Sequence, residues 1–230
     1  MSPTGEPFNV AVFASGGGTN FQSLLDHQNE QGLWRVALLV MNREAGAADR
    51  ARAADVPVRV IATRDRAEED VARETLTALE EHRIDIVLLA GYLRRIPSEV
   101  VSRYRGRMLN IHPALLPDFG GSGMYGRKVH ETVVAAGVDS SGATVHFVDE
   151  EYDDGAILGQ WYVDVRPDDT ADTLAERVLR AEHRLYPSAV DHLCRALAEG
   201  HTPERMKDVR LDYPPKGSQN RITNEDEDEV

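Results

Sequence analysis

The segment LNIHPALLP, residues 109–117, places an asparagine and a histidine two positions apart. Met108–Ile111 is predicted to be a short buried strand, in which side chains alternate between faces, so Asn110 and His112 point the same way. Pro113 ends this strand where its residues would leave the core. An amide and an imidazole at the carboxyl end of a strand could stabilise an oxyanion and transfer a proton, although a structural role stays open.

A second polar cluster lies in GATVHFVDEEYDDGAI, residues 142–157. His146 falls on a predicted strand, and an acidic turn that includes Asp153 follows it. Such turns are commonly only solvated. One carboxylate folded back beside His112 would favour the imidazolium and raise the histidine pKa, with each unit worth about 1.4 kcal/mol. We therefore expect His112 to be an available acid near neutral pH.

Two other chemistries fit these residues less well. His112, His146 and Asp153 could hold a metal, but no HExxH or CxxC spacing supports such a site, and we predict none. No GxSxG or cysteine-centred nucleophile motif is present, which disfavours an acyl-enzyme. Direct acyl transfer, with histidine and asparagine stabilising an oxyanion, remains.

A glycine-rich turn near the N-terminus could bind an anion. VAVFASGGGTNFQSLL, residues 10–25, passes from an apolar strand through Gly16–Gly18 into a helical pattern that Thr19 or Asn20 could cap. Free N–H groups at a helix N-terminus suit a phosphate. The turn lacks the third glycine of a dinucleotide fingerprint and the Gly-Lys of a P-loop. A phosphate site and a turn without a ligand both stay open.

The elements that must position these residues alternate between strand-like and helix-like runs. This alternation predicts an α/β fold with a mostly parallel twisted sheet and helices on both faces. We expect one domain over residues 1–202, a mobile glycine-rich loop over 118–128, and an acidic, partly disordered tail over 203–230. Ligands should gather at the carboxyl ends of the strands.

Composition excludes several classes of protein. The 230 residues are 41% apolar, enough for one core, and carry a formal charge of −13, which argues against a nucleic-acid partner. No apolar run approaches a membrane span, and no signal-peptide pattern appears. Cys194 is the single cysteine, so no internal disulfide can form, and we expect a cytoplasmic location. A monomer and a homodimer both fit the sequence.

Four segments together carry a family resemblance. FASGGGTN, LLAGYLRRIP, LNIHPALLP and GATVHFVDEEYDDGAIL, in this order and spacing, resemble the glycinamide ribonucleotide formyltransferases. The similarity covers about residues 8–190. It implies a Rossmann-like formyltransferase fold, 10-formyltetrahydrofolate as co-substrate, glycinamide ribonucleotide as acceptor, and a role in purine biosynthesis.

The resemblance also implies residue roles. Asn110, His112 and Asp153 would be catalytic: the amide and the protonated imidazole would act on the formyl oxygen, and the carboxylate would keep the imidazole charged. It also implies that Glu182 contacts the nucleotide substrate. The residues implied to bind the substrate phosphate are Gly18, Thr19 and Asn20, and those implied to line the folate pocket are Leu93, Arg94, Arg95, Ile96 and Asn110.

The sequence departs from the commonest family pattern after Pro117. Asp118-Phe119-Gly120-Gly121 replaces the usual segment and matches a subgroup with a different lid, in which His130 could stand for a lid histidine. A formyltetrahydrofolate deformylase with the same three residues is the nearest rival. A non-catalytic module that binds a nucleotide or folate is a rival from another class.

Overall fold

The computed structural model describes residues 5–211, except for the side chains of residues 29–31. Its strands are β1 (Phe8–Ala14), β2 (Trp34–Met41), β3 (Val58–Val60), β4 (Ile86–Leu89), β5 (Met108–His112), β6 (Ser140–Phe147), β7 (Ile157–Asp164) and β8 (Val209–Leu211). Its helices are α1 (Thr19–Gln31), α2 (Gly46–Ala53), α3 (Glu68–Glu81), α4 (Ser98–Arg103), α5 (Arg127–Ala136) and α6 (Ala171–Glu199).

The strands form one 8-stranded sheet in the order β3-β2-β1-β4-β5-β6-β7-β8. Strand β6 is antiparallel to both of its neighbours, β5 and β7, and the other paired strands are parallel. The predicted α/β class with a mostly parallel sheet is therefore confirmed. The strand order reverses between β1 and β4, and in such sheets ligands bind at the carboxyl ends beside the reversal.

Helices cover both faces because the central strands are apolar on both sides. On β1, Val10 and Val12 belong to a core cluster that includes residues of α1, α2, α5 and α6. Ala11 and Phe13, which alternate with them, belong to a second cluster that includes residues of α3 and α4. This continuous burial is typical of a parallel sheet with two covered faces.

Helix α6 is anchored to the middle of the sheet. It begins with a capping box, in which the Thr170 side chain accepts from the Thr173 N–H, and it ends at Gly200 with φ 79°. The buried hydroxyl of Tyr186 lies 3.0 Å from the Leu89 carbonyl and 3.1 Å from the Leu109 carbonyl. One side chain thus holds the helix against β4 and β5.

Two expectations about the ends of elements need correction. Val209–Leu211 pairs with β7 as strand β8, so the sheet continues beyond the predicted domain boundary at residue 202. Neither Thr19 nor Asn20 caps α1, because Gly18, in the left-handed conformation, occupies the N-cap without a side-chain bond. The predicted disorder of the chain beyond residue 211 lies outside the described residues. Within residues 5–211 no helix is long and apolar enough to cross a membrane.

Candidate active site

The pairing of β5 with β6 places the two polar clusters side by side. Asn110 lies opposite His146, and His112 lies opposite Thr144, in the antiparallel register. The Asn110 Nδ2 donates to His146 Nε2 at 3.0 Å, while the other ring nitrogen of His146 donates to the Phe147 carbonyl at 2.8 Å. These contacts fix the orientation of the His146 ring and of the Asn110 amide relative to each other.

Asp153 connects the other two predicted catalytic residues. It lies in the turn after β6 with φ 56°, a left-handed conformation that aspartate tolerates. Its Oδ2 is 3.5 Å from His112 Nδ1, and its Oδ1 is 3.5 Å from both Asn110 Nδ2 and His146 Nε2. The structure therefore brings Asn110, His112 and Asp153 into one cluster, as the sequence predicted, and adds His146 to it.

The loop after Pro117 closes over this cluster. The His112 Nε2 donates to the Phe119 carbonyl at 2.9 Å, and the Gly121 N–H donates to Asp153 Oδ2 at 2.9 Å. A Cβ at Gly120 would lie 2.4 Å from Leu116 Cδ2 and 3.3 Å from the Asp153 Cβ, so a larger residue there would have to displace the Leu116 side chain. The unusual Asp118–Gly121 segment thus braces His112 and Asp153, a role that its sequence did not signal.

The charge of His112 differs from expectation. Burial lowers the His112 pKa below 6.5, and the charge of Asp153 and the Phe119 carbonyl oppose this effect without overcoming it. The expected rise in the His112 pKa is therefore wrong. Burial also acts to raise the Asp153 pKa, but the contact with His146, the charge of His112 and the Gly121 N–H outweigh it, so the Asp153 pKa is lowered.

A cavity of about 650 Å³ opens beside the cluster. It is lined by most of the residues singled out from the sequence, namely Asn20, Leu93, Arg94, Arg95, Ile96, Asn110, His112, Asp153 and Glu182. Gly18 and Thr19 do not line it but directly precede Asn20. His130 lines it as well, and burial followed by the charge of His112 lowers the His130 pKa to about 4. The two histidines therefore line the same cavity and interact electrostatically.

Glu182 and Asn20 meet at the side of the cavity formed by α6 and α1. The Asn20 Nδ2 donates to Glu182 Oε2 at 2.5 Å, and the Asn20 Oδ1 is buried without a partner among residues 5–211. Burial raises the Glu182 pKa to about 7, and the bond from Asn20 only partly opposes it. Both side chains line the cavity and are joined to each other there.

The segment after β4 also lines the cavity. The Leu93 N–H donates to the Ser15 hydroxyl at 3.0 Å, and this hydroxyl donates to Asn42 Oδ1 at 2.6 Å. Arg95 donates to the Glu150 carbonyl at 2.9 Å. Leu93 is 52% exposed at the cavity, whereas Ile96 is buried. The sequence did not indicate the Ser15–Asn42 support, because it joins residues from two strand ends.

The sheet and this site define a class of protein. The formyl transferase family matches residues 8–190, and the chain belongs to that family. Among individual proteins, the chain is 46% identical over 189 residues to the phosphoribosylglycinamide formyltransferase, chloroplastic, of Arabidopsis thaliana. The match covers 80% of this chain and 65% of the plant protein, so the chain spans just under two thirds of that relative.

Two further comparisons agree with this family. The trifunctional purine biosynthetic protein adenosine-3 of Homo sapiens is 42% identical over 79% of this chain, which matches 18% of the human protein. The crystal structure of phosphoribosylglycinamide formyltransferase from Brucella melitensis superposes with a TM-score of 0.75 at 38% identity, covering 82% of this chain and 96% of that one.

Proposed function

We propose that this protein transfers the formyl group of 10-formyltetrahydrofolate to the amino group of glycinamide ribonucleotide. The products are formylglycinamide ribonucleotide and tetrahydrofolate, as in purine biosynthesis. The observation that carries the proposal is that Asn110, His112 and Asp153 line one cavity together with Asn20, Glu182 and the segment after β4. A nucleotide on one side and a folate on the other would meet at the cluster.

The amine attacks the formyl carbon, and a negative charge develops on the formyl oxygen. Asn110 and protonated His112 would donate hydrogen bonds to this oxygen, which is the usual stabilisation of a tetrahedral intermediate. His112 Nε2 faces the Phe119 carbonyl, so the formyl oxygen must take the place of that carbonyl. The developing oxyanion also favours the imidazolium, against the effect of burial.

Collapse of the intermediate breaks the bond between the formyl carbon and N10 of the folate. N10 leaves with a proton from His112, and Asp153 accepts the proton that the attacking amine loses. The lowered Asp153 pKa keeps this carboxyl ionised and able to accept. Proton and electron counts balance without a metal or a redox cofactor, and we propose none.

The binding roles follow the sides of the cavity. Gly18, Thr19 and Asn20 at the start of α1 would hold the substrate phosphate, and Glu182 would bind ribose hydroxyls. The residues that would line the folate pocket are Leu93, Arg94, Arg95, Ile96 and Asn110. Backbone groups of this segment would form hydrogen bonds with the pteridine ring. We propose small molecules as the partners in a cytoplasmic location, with no nucleic acid and no membrane partner; a homodimer is a hypothesis for measurement of the mass in solution.

The test mixes the purified protein with 10-formyltetrahydrofolate and follows loss of the formyl group with and without glycinamide ribonucleotide. We expect turnover that requires the amine and yields the formylated nucleotide. Turnover that ignores the amine would instead identify a formyltetrahydrofolate deformylase. Binding of both ligands without turnover would leave a non-catalytic binding module.

A further inference from the structure

The glycine turn before α1 rests on the first turns of α2. The Ala47 N–H donates to the Gly16 carbonyl at 3.1 Å. Arg50, one turn further along α2, donates from Nε to the Gly17 carbonyl at 2.8 Å and from Nη1 to Gln22 Oε1 at 3.1 Å. Two consecutive carbonyls of the turn are therefore held against α2.

This contact fixes the direction of the N–H groups. In a planar trans peptide the carbonyl and the N–H point in opposite directions. With the Gly16 and Gly17 carbonyls facing α2, the N–H groups of Gly17 and Gly18 face away from it. Within residues 5–211 neither N–H has a hydrogen-bond partner. An anion at the start of α1 would find both groups already oriented.

Two further observations describe this end of α1: the burial of Asn20 beside the cavity and the packing of Gly18 against α2. Asn20 is only 9% exposed, lines the cavity, and keeps a buried Oδ1 without a partner among the described residues. Gly18 has φ 72°, and a Cβ there would lie 2.6 Å from the Ala47 Cβ. The turn is thus packed against α2 in a conformation that only glycine takes readily.

Arg50 differs from its neighbour Arg52 on the same helix. Arg52 forms ion pairs with Glu44 at 2.8 Å and Asp49 at 3.1 Å. Arg50 donates to neutral acceptors and has no carboxylate partner within residues 5–211. Its charge reaches His183, whose pKa is lowered first by burial and then by Arg50, against the effect of Asp26. The positive charge of Arg50 is therefore left available beside the turn.

We infer that Arg50 is a positioning residue for phosphate binding: its bond to the Gly17 carbonyl holds the Gly17–Gly18 peptide with its N–H group towards the anion. The inference rests on the proposed function, which places the substrate phosphate at this turn. Arg50 acts through the peptide, since its Nε lies on the carbonyl side and the phosphate on the N–H side. Its charge adds to the field that attracts the anion.

The kinetic test compares glycinamide ribonucleotide with glycinamide riboside, which lacks the phosphate. Arg50→Gln should raise the KM for the ribonucleotide roughly tenfold to a hundredfold, the scale of one charged hydrogen bond, and leave kcat within about twofold. The KM for the riboside should not change. Arg50→Lys should restore part of the loss, because an ammonium can still donate to the Gly17 carbonyl. Arg52→Gln is the matched control and should change neither KM.

A binding test without turnover separates this inference from the proposed function. Calorimetry measures the Kd of ribose 5-phosphate and of ribose for wild type, Arg50→Gln and Arg52→Gln. Weaker binding of ribose 5-phosphate by Arg50→Gln alone supports the inference even if no formyl transfer is found. Equal Kd values in wild type and Arg50→Gln, or a KM that rises equally for both amine substrates, would overturn it while transfer activity stands.

Discussion

His112 Nδ1 lies 3.5 Å from Asp153 Oδ2, in a site where burial nevertheless lowers the histidine pKa. The carboxylate therefore limits the loss of charge on the ring and does not reverse it. Both ring nitrogens face acceptors, since Nε2 meets the Phe119 carbonyl. Hydrogen-bond acceptors therefore lie at both ring nitrogens, and the negative charge of a bound reacting group would further favour the imidazolium.

The first prediction concerns this pair. The His112 pKa in the free protein should lie below 6.5, and Asp153→Asn should lower it further, because removal of a negative charge disfavours the imidazolium. NMR titration of the imidazole C–H resonances measures both values. Asp154→Asn, which changes the exposed neighbouring carboxyl, should leave the His112 pKa unchanged. An unchanged or higher pKa in Asp153→Asn would refute the contact.

The second prediction concerns the oxyanion. Asn110→Ala should lower kcat about 100- to 1000-fold, the loss expected when one donor to an oxyanion is removed, with little effect on the melting temperature. Steady-state turnover of the formyl transfer measures it. Asn9→Ala is the control: Asn9 lies at the amino-terminal end of β1, away from the carboxyl ends of the strands, and the variant should keep full turnover. An Asn110→Ala protein with nearly normal turnover contradicts the assignment.

The third prediction concerns stability and pH. The Glu182 pKa is raised from 4.5 to about 7, so its stabilising effect is fully present below pH 4.5 and is lost as the pH rises through 7. This difference corresponds to about 3 kcal/mol. Urea unfolding between pH 5 and 8 should therefore show a steeper fall in wild type than in Glu182→Gln.

The control for this measurement lies on the same helix. Glu176→Gln, at an exposed position of α6, should keep the wild-type dependence on pH. Parallel curves for wild type and Glu182→Gln would show that Glu182 has an ordinary pKa.

The fourth prediction concerns the glycine turn. Gly18→Ala should lower the free energy of unfolding by roughly 2–4 kcal/mol, because alanine is strained at φ 72° and its Cβ would overlap Ala47. Gly17→Ala is the matched control, since its Cβ would meet nothing within 4 Å, and it should cost less than about 0.5 kcal/mol. Denaturant unfolding measures both, and equal costs would rule out the contact with Ala47.

The Asn110–His112 pair could be predicted because its signal is local: the two residues share a face through the two-residue period of a strand. Asp153 was selected from the acidic turn after β6 by the family resemblance. The order of the strands places these segments side by side, so the motifs and the topology agree. His146 lies on the neighbouring strand for the same reason, but its contact with Asn110 depends on a register that no motif states.

Other features depend on the folded environment. The contacts of Phe119 and Gly121 with the cluster come from an irregular loop, which lacks the periodic spacing of apolar residues that predicts a helix or a strand. The direction of the His112 pKa depends on how much water the whole cavity excludes, which a sequence motif does not contain. Strand β8 is 3 residues long and pairs with β7 from a distant part of the chain, so its pattern was too short to recognise.

The hydroxyl of Tyr186 has a consequence for the length of the substrate. Glu182 lies one turn before Tyr186 on α6, and this hydroxyl joins the helix to the backbone of β4 and of β5, where β5 carries Asn110. The proposed ribose-binding residue and the proposed catalytic residue are therefore held at a fixed separation. This fixed distance would select acceptors by the separation of their amine and phosphate. In an acceptor whose amine is one bond nearer to or farther from its phosphate, the amine would miss the reacting position.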